Sequence, residues 1–267
     1  MKNLIVLKFG GSSITKKEEN KFEMNNVILK QAASELANAL KQNPKLKIAL
    51  VCGVGPFGHT NVVKYNLNNG INNSVQEKGV KITNKDCDFV GKETAKALEK
   101  EGLKVKFIPG YEICVQENKK VKHFELALYK KALANGEMPL STGVMVPDEK
   151  MKWSVMSGDT VIAQLAKQLR PEKVLMGTDV DGIYTADPKN DDGAELILEI
   201  NNKNLKEVLK KAGESKAMDV TGGMKGKLEK LAEQLNGVPA EIFNLFIAGN
   251  LKKALLCEEI KSTKIDL

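Results

Sequence analysis

The stretch LIVLKFGG, residues 4–11, decides the fold, because a continuous apolar run ends there in two glycines. Such a run is typical of a strand that is buried on both faces of a parallel sheet. Similar runs occur at 47–52, 104–109, 138–141, 173–178 and 240–246. Helical apolar spacing separates them, at 26–42, 86–101, 123–135, 161–169, 223–236 and 249–256. The alternation predicts an α/β fold with a parallel sheet covered by helices.

Composition narrows the class of protein. The 267 residues carry a net charge of +7, but the lysines are spread along the chain and aromatic residues make up only 5%. This pattern favours a solvated surface over a nucleic-acid partner. No apolar run approaches the roughly 18 residues of a membrane-spanning helix. The four cysteines lack metal-ligand or CxxC spacing, so we expect reduced thiols in a cytoplasmic protein with no membrane partner.

The chain has no Pro-rich or Ser-rich linker. We therefore expect a single domain over 1–267, with a first lobe to about residue 170 and a second lobe over about 171–267. In an open parallel sheet, ligands bind beyond the carboxyl ends of the strands. Several glycine-bearing segments fall at such ends.

The first of these segments is KFGGSSITKK, residues 8–17. Gly10 and Gly11 allow the backbone to approach a ligand closely, Ser12 offers a hydroxyl, and Lys8 and Lys17 supply ammonium groups. Backbone amides together with lysines suit phosphate oxygens. The alternative is an ordinary strand–turn–helix connection with solvated lysines.

The second segment is VCGVGPFGHT, residues 51–60. Its glycines, which include Gly55 and Gly58, expose backbone amides, and His59 follows at the predicted start of a short helix. An imidazole at a helix N-terminus can donate a hydrogen bond to a phosphate. The alternative is a histidine that caps or packs on the turn.

Two acidic turns follow. In MSGDTV, residues 156–161, Gly158 and Asp159 precede a helix; Asp159 either caps that helix or holds lysines or Mg²⁺. TDVDGIYTADPK, residues 178–189, offers a place for a purine ring and ribose, the alternative being a plain acidic turn. DVTGGMKGK, residues 219–227, places lysines at a helix start, where an anionic ligand would offset their unfavourable interaction with the helix dipole.

Taken together, KFGGS, SGD, TDVDGIYTADP and DVTGGMKGK occur in the order found in the amino acid kinase family, which the chain resembles from Lys8 to about Asp266. The resemblance implies a three-layer αβα sandwich with a mostly parallel central sheet. It also implies phosphoryl transfer from ATP, with Mg²⁺, to a small-molecule acceptor, and a homodimer. It assigns no protein residue as a metal ligand.

The same resemblance implies roles for individual residues. Lys8 and Lys17 would neutralise the transferred phosphoryl group, Asp159 would orient these lysines, and His59 would bind the acceptor's phosphate. The acceptor would also contact Val54, Gly55, Gly58 and Gly158. The nucleotide would lie against Gly10, Gly11, Ser12, Gly55, Thr178, Asp179, Asp181, Gly182, Tyr184, Gly223 and Lys227.

Within the family, GPFGH and the closing STKID resemble the members that convert isopentenyl phosphate to isopentenyl diphosphate, an isoprenoid precursor. Three positions depart from that pattern: Val54 replaces a glycine, and Val144 and Thr160 each replace an aspartate. Two alternatives remain open. One is a kinase of another small phosphate or phosphonate monoester such as fosfomycin, and the other is a non-catalytic nucleotide-binding protein.

Overall fold

The computed structural model describes residues 2–16, 22–186, 188, 190–214, 235 and 237–267, with backbone only for 210–214. Lys17, Gly223 and Lys227 therefore lie outside the described residues, as does the predicted helix at 223–236 except for Leu235. None of the helices within the described ranges has the length and apolar character needed to cross a membrane.

The strands of the described residues are β1 Leu4–Phe9, β2 Lys47–Cys52, β3 Val105–Phe107, β4 Cys114–Glu117, β5 Lys120–Phe124, β6 Met138–Thr142, β7 Val144–Asp148, β8 Lys152–Met156, β9 Lys173–Thr178, β10 Ile183–Tyr184, β11 Leu196–Ile197, β12 Glu199–Asn201, β13 Ala240–Asn244 and β14 Ser262–Asp266. The α-helices are α1 Gly11–Ile14, α2 Asn26–Gln42, α3 Pro56–Lys64, α4 Ser74–Lys100, α5 Ala127–Ala134, α6 Gly158–Leu169, α7 Leu205–Glu214 and α8 Asn250–Leu255.

An eight-stranded sheet in the order β12-β14-β13-β9-β1-β2-β6-β3 forms the middle of the molecule. The six strands from β13 to β3 pair in parallel, and β14 runs antiparallel to β13. The carboxyl ends of β1, β2, β6 and β9 consequently meet at one edge of the sheet. The loops after β1, β2 and β9 carry three of the glycine segments singled out above, and the segment 156–161 joins β8 to α6.

Helices cover both faces of this sheet. The alternation along β1 divides its side chains between two cores, with Leu4 and Val6 in one and Ile5 and Leu7 in the other. The first core takes most of its helical residues from α5, α6 and α7, with Cys87 from α4, and the second takes most of its helical residues from α2, α4 and α8. The predicted α/β sandwich with a mostly parallel sheet is confirmed.

A second, four-stranded sheet in the order β5-β4-β7-β8 lies beside the central one. The sequence did not predict it, and the helix predicted over 123–135 was wrong at its start. His123 and Phe124 pair with Val115 and Cys114 as part of β5, and the helix begins at Ala127.

Asp148, at the end of β7, ties two turns of this second sheet together. Its buried carboxylate accepts hydrogen bonds from five donors, namely the backbone N–H groups of Asn118, Lys119, Lys150 and Met151 and the hydroxyl of Ser154. Burial alone would raise the pKa of Asp148, but these hydrogen bonds outweigh it and hold the pKa well below its usual range.

Helix α4 is longer than predicted and begins at Ser74, twelve residues before the expected start. The side chain of Asn73 caps it by accepting a hydrogen bond from the Gln76 amide at 2.9 Å. Asn84, in the part that the sequence did not predict, hydrogen-bonds both backbone groups of Met145 through its side-chain amide. These two bonds fix α4 against β7.

Candidate functional site

Two glycine loops touch at the carboxyl edge of the central sheet. A Cβ atom on Gly53 would lie 2.3 Å from the Gly11 nitrogen, and one on Gly11 would lie 2.5 Å from the Gly55 nitrogen. Gly55 also has a φ of +50°, which L side chains rarely adopt. Close packing thus explains why glycine occupies these positions. The same packing brings backbone amides of both loops into one place.

Lys8, near the end of β1, meets Asp159, in the first turn of α6. The Lys8 ammonium lies 2.5 Å from the Asp159 carboxylate, and the two side chains are 20% and 53% exposed. The N-cap of α6 is Ser157, which accepts a hydrogen bond from the Thr160 amide. Asp159 is therefore not the helix cap, and its carboxylate holds the Lys8 ammonium at the edge of the sheet.

The loops after β1 and β9 are joined through Ser12. The Ser12 hydroxyl donates a hydrogen bond of 2.7 Å to Asp179, and the Thr178 hydroxyl lies 3.2 Å from the same oxygen. The Gly10 amide donates to the Gly177 carbonyl at 2.8 Å. The structure therefore places the first and fourth glycine segments side by side.

A cavity of about 760 Å³ opens over these loops. Part of its wall is polar and carries both charges of the Lys8–Asp159 pair, the exposed His59, Ser12, Ser157, and Gly11, Gly55, Gly58 and Gly158. The remaining wall is largely apolar and comes from α3, α4 and the β7–β8 hairpin. Its apolar residues are Val54, Pro56, Val62, Val63, Cys87, Val144, Met145, Val155 and Met156.

The sequence predicted the polar wall better than the apolar one. Apart from Val144, which the sequence singled out as a departure from the family pattern, the residues on β7 and β8 were missed because neither strand was recognised. The signals that could have found them are the short apolar run VMV at 144–146 and the alternation of KWSV at 152–155, on either side of a charged turn. Of the three positions that depart from the family pattern, Val54 and Val144 line the cavity, and Thr160 instead contacts Ser157 at 3.0 Å.

Asp181, Gly182 and Tyr184 form a separate cluster beyond β9, outside the cavity wall. Asp181 accepts hydrogen bonds from Lys261 at 2.8 Å, Asn244 at 3.0 Å and Tyr184 at 3.1 Å. Burial alone would raise the pKa of Asp181, but these bonds lower it overall. The sequence did not predict the contributions of Lys261 and Asn244.

The described part of the chain contains no group of three or more His, Cys, Asp or Glu side chains that could hold a metal ion. The two acidic residues beside the cavity already have partners, since Asp159 pairs with Lys8 and Asp179 accepts from Ser12. A cation at this site would therefore need ligands from a bound molecule and water as well as from the protein.

Comparison with known proteins gives one consistent result. Residues 3–244 match the model of the amino acid kinase family. The chain is 33% identical to the isopentenyl phosphate kinase of Methanothermobacter thermautotrophicus and 30% identical to that of Methanocaldococcus jannaschii, with 98% of each chain covered in both comparisons. It is also similar to a crystal structure of isopentenyl phosphate kinase, with a TM-score of 0.81 and 29% identity over 98% of this chain and 99% of the other.

Proposed function

We propose that this chain, which belongs to the amino acid kinase family, transfers the γ-phosphoryl group of ATP to isopentenyl phosphate. The products would be isopentenyl diphosphate and ADP. One observation carries the choice of acceptor, namely a single cavity whose wall combines Lys8, His59 and glycine-loop amides with a largely apolar remainder. Such a wall suits a small molecule with a phosphate at one end and a short hydrocarbon chain at the other.

The polar wall supplies what phosphoryl transfer needs, which is positioning and charge neutralisation. A phosphate oxygen of the acceptor attacks the γ-phosphorus, and the bond between that phosphorus and the β,γ-bridging oxygen breaks. The Lys8 ammonium, held by Asp159, would stabilise the negative charge on the phosphoryl group in transit. Lys17 is proposed for the same task from the sequence alone.

His59 and the glycine loops would hold the acceptor's phosphate. His59 is exposed on the cavity wall and follows Gly58 in the first turns of α3. An imidazole N–H and the amides near Gly55 and Gly158 are hydrogen-bond donors suited to phosphate oxygens. This arrangement favours an acceptor that already carries a phosphate over one that carries a carboxylate or hydroxyl alone.

The nucleotide would lie along the loops after β1 and β9. Gly10, Gly11 and Ser12 would contact its phosphates, and the loop from Thr178 to Tyr184 would contact its nucleoside part, together with Gly223 and Lys227. The Ser12–Asp179 hydrogen bond of 2.7 Å supports this placement because it joins the two loops. Mg²⁺ would enter with ATP, bound mainly to nucleotide phosphates and water, and would supply neutralisation of phosphate charge.

We also propose a cytoplasmic homodimer. The family resemblance suggests the dimer, and the cysteines support the compartment: Cys52, Cys87, Cys114 and Cys257 are all free thiols. Sedimentation velocity tests the dimer directly, since a single species near the 29.2 kDa of one chain would contradict it.

The test of the proposed reaction is coupled ADP release with Mg·ATP and a panel of acceptors. The panel contains isopentenyl phosphate, dimethylallyl phosphate, longer prenyl phosphates, fosfomycin, UMP, acetylglutamate and no acceptor. We expect the highest kcat/KM with isopentenyl phosphate. A higher value with fosfomycin or UMP would reassign the acceptor, and rates equal to the no-acceptor control throughout would reject this proposal.

A further inference from the structure

The side chain of Val54 occupies a particular place in the cavity wall. It is half-buried in the loop after β2 and packs against the cores on both faces of the central sheet. The residues on either side of it in the chain, Gly53 and Gly55, both pack against Gly11 of the loop after β1. Its backbone is thereby fixed, and a stiff β-branched side chain on a fixed backbone has little freedom to move aside.

The Val54 side chain lies beside Gly58 of α3, close to Cys87 of α4. A methyl group on Gly58 would lie 2.6 Å from Cγ2 and 3.7 Å from Cβ of Val54, and 3.4 Å from the Cys87 sulfur. Val54 therefore covers Gly58 in the space where a side chain at residue 58 would lie, and Cys87 closes the same space from α4. We call Val54, Gly58 and Cys87 the acceptor floor.

The acceptor floor lies directly beside the polar wall. All three of its members line the cavity, and Gly58 immediately precedes His59 in α3. Burial raises the pKa of the Cys87 thiol, so that side chain is neutral and presents an apolar surface. Under the proposed function, on which this argument rests, the acceptor's phosphate is held at His59. The floor then faces the first carbons of the acceptor's chain.

We propose that Val54 is a specificity-determining residue that limits the width of the acceptor next to its phosphate. With Val54 in place, the chain accepts monophosphates whose first two carbons are unbranched and excludes those that carry an extra methyl group there. Chain length farther from the phosphate is set by other parts of the wall, such as Val63 and Val155, which lie outside this contact.

The experiment uses two saturated acceptors, 3-methylbutyl phosphate and 2,3-dimethylbutyl phosphate, which differ by one methyl group on the second carbon. In the wild type we expect kcat/KM for the branched acceptor to be lower by on the order of 10-fold or more, the usual effect of one methyl group in a tight pocket. In Val54→Ala the ratio of kcat/KM for the unbranched acceptor to kcat/KM for the acceptor branched at its second carbon should move toward one. Geranyl phosphate, which is longer but not wider at this position, should gain no more than 3-methylbutyl phosphate does.

A second variant tests the contact itself. Gly58→Ala alone places a methyl group against Val54 and should lower both thermal stability and turnover. In Val54→Ala/Gly58→Ala the conflict disappears, because the nearest remaining atom outside the variant residues is the Cys87 sulfur at 3.4 Å. The double variant should recover stability, and its new methyl group should restore discrimination against the branched acceptor.

The outcomes separate this inference from the proposed function. Val27→Ala, an exposed substitution of the same kind on α2, serves as the matched control and should keep the wild-type ratio. If the wild type does not turn over isopentenyl phosphate, the proposed function fails. If it does, and folded Val54→Ala keeps the wild-type ratio or gains only on geranyl phosphate, the inference about Val54 is overturned.

Discussion

Asp159→Asn should show separately what the Lys8–Asp159 pair contributes to stability and what it contributes to turnover. The substitution keeps the shape of the side chain and removes its charge. The pair is partly open to solvent, with Asp159 53% exposed, so solvent screening limits its contribution to stability. We expect the free energy of unfolding to fall by at most about 1 kcal/mol.

The effect on turnover should be much larger. The Asp159 carboxylate, 2.5 Å from the Lys8 ammonium, fixes the position of that ammonium in the cavity wall. Displacement of a catalytic group by about 1 Å costs on the order of 10²-fold in rate. We therefore expect kcat to fall by about that factor while the Kd of ATP changes far less, because the lost charge neutralisation acts mainly in the transition state.

The assay combines urea unfolding with steady-state ADP release. The matched control is Glu149→Gln, which removes another exposed pair of the same length, Lys122–Glu149 at 2.5 Å, from the second sheet. The control should lose no more stability than Asp159→Asn and should keep wild-type kcat. A large loss of stability in Asp159→Asn with kcat retained would refute the reasoning, because it would make the pair a structural element only.

Three further predictions concern other parts of the molecule. His59→Ala should lower kcat/KM for the acceptor by roughly 10- to 100-fold, the value of a hydrogen bond to a charged group. Calorimetry should show that this variant still binds ATP, and His59→Asn should be less impaired. Unchanged acceptor kinetics in both variants would show that His59 does not bind the acceptor. Lys261→Met should raise the KM of ATP up to roughly fivefold, as expected for loss of an exposed ion pair with Asp181, and an effect confined to the acceptor's KM would contradict our placement of the nucleotide. Asp148→Asn should lower the free energy of unfolding at pH 7 by roughly 1.5–3 kcal/mol. Because the folded pKa of Asp148 is lowered, its contribution is present above the unfolded value of about 3.9 and is lost as the pH falls through the folded pKa. The difference between wild type and variant in urea unfolding should therefore shrink below about pH 4, and a difference that grew on acidification would contradict the assignment.

The central strands could be predicted from the sequence because they are buried on both faces. Residues 4–9, 47–52 and 173–178 are continuous apolar runs, and the structure places β1, β2 and β9 at those bounds. The glycine segments at 8–17, 51–60 and 178–189 could be located for the same reason, since each follows one of these strands. Position in a parallel sheet was enough to bring Lys8, Ser12 and His59 to one edge.

The second sheet could not be predicted in the same way. Its strands are only four or five residues long. The strands β4, β5 and β8 are partly exposed, β5 contains three charged or titratable residues, and the buried β7 offers an apolar run of only three residues. The early part of α4 was missed because polar residues and Gly79 resemble a loop. Gly79 nevertheless lies inside the helix, and glycine is needed at this position because a Cβ there would be 2.6 Å from the Tyr65 side chain. The second sheet contributes Val144, Met145, Val155 and Met156 to the apolar wall, and most of that part of the wall was therefore absent from the prediction.

The partners of the site residues could not be predicted from the sequence either. Lys261 and Asn244 are 80 and 63 residues from Asp181, and only the packing of β13 and β14 beside β9 brings them together. The same holds for Val54 and Cys87, which meet through the packing of α3 on α4. Contacts of this kind depend on how elements pack, which local patterns do not specify.

The most direct test of the central claim is phosphorus NMR of the products. The wild-type protein is incubated with Mg·ATP and isopentenyl phosphate, and the spectrum is recorded as ADP accumulates. We expect the monophosphate singlet to be replaced by two coupled doublets of a diphosphate ester in a one-to-one ratio with ADP. An unchanged singlet, with ATP either intact or hydrolysed to inorganic phosphate, would contradict the claim that this chain phosphorylates isopentenyl phosphate.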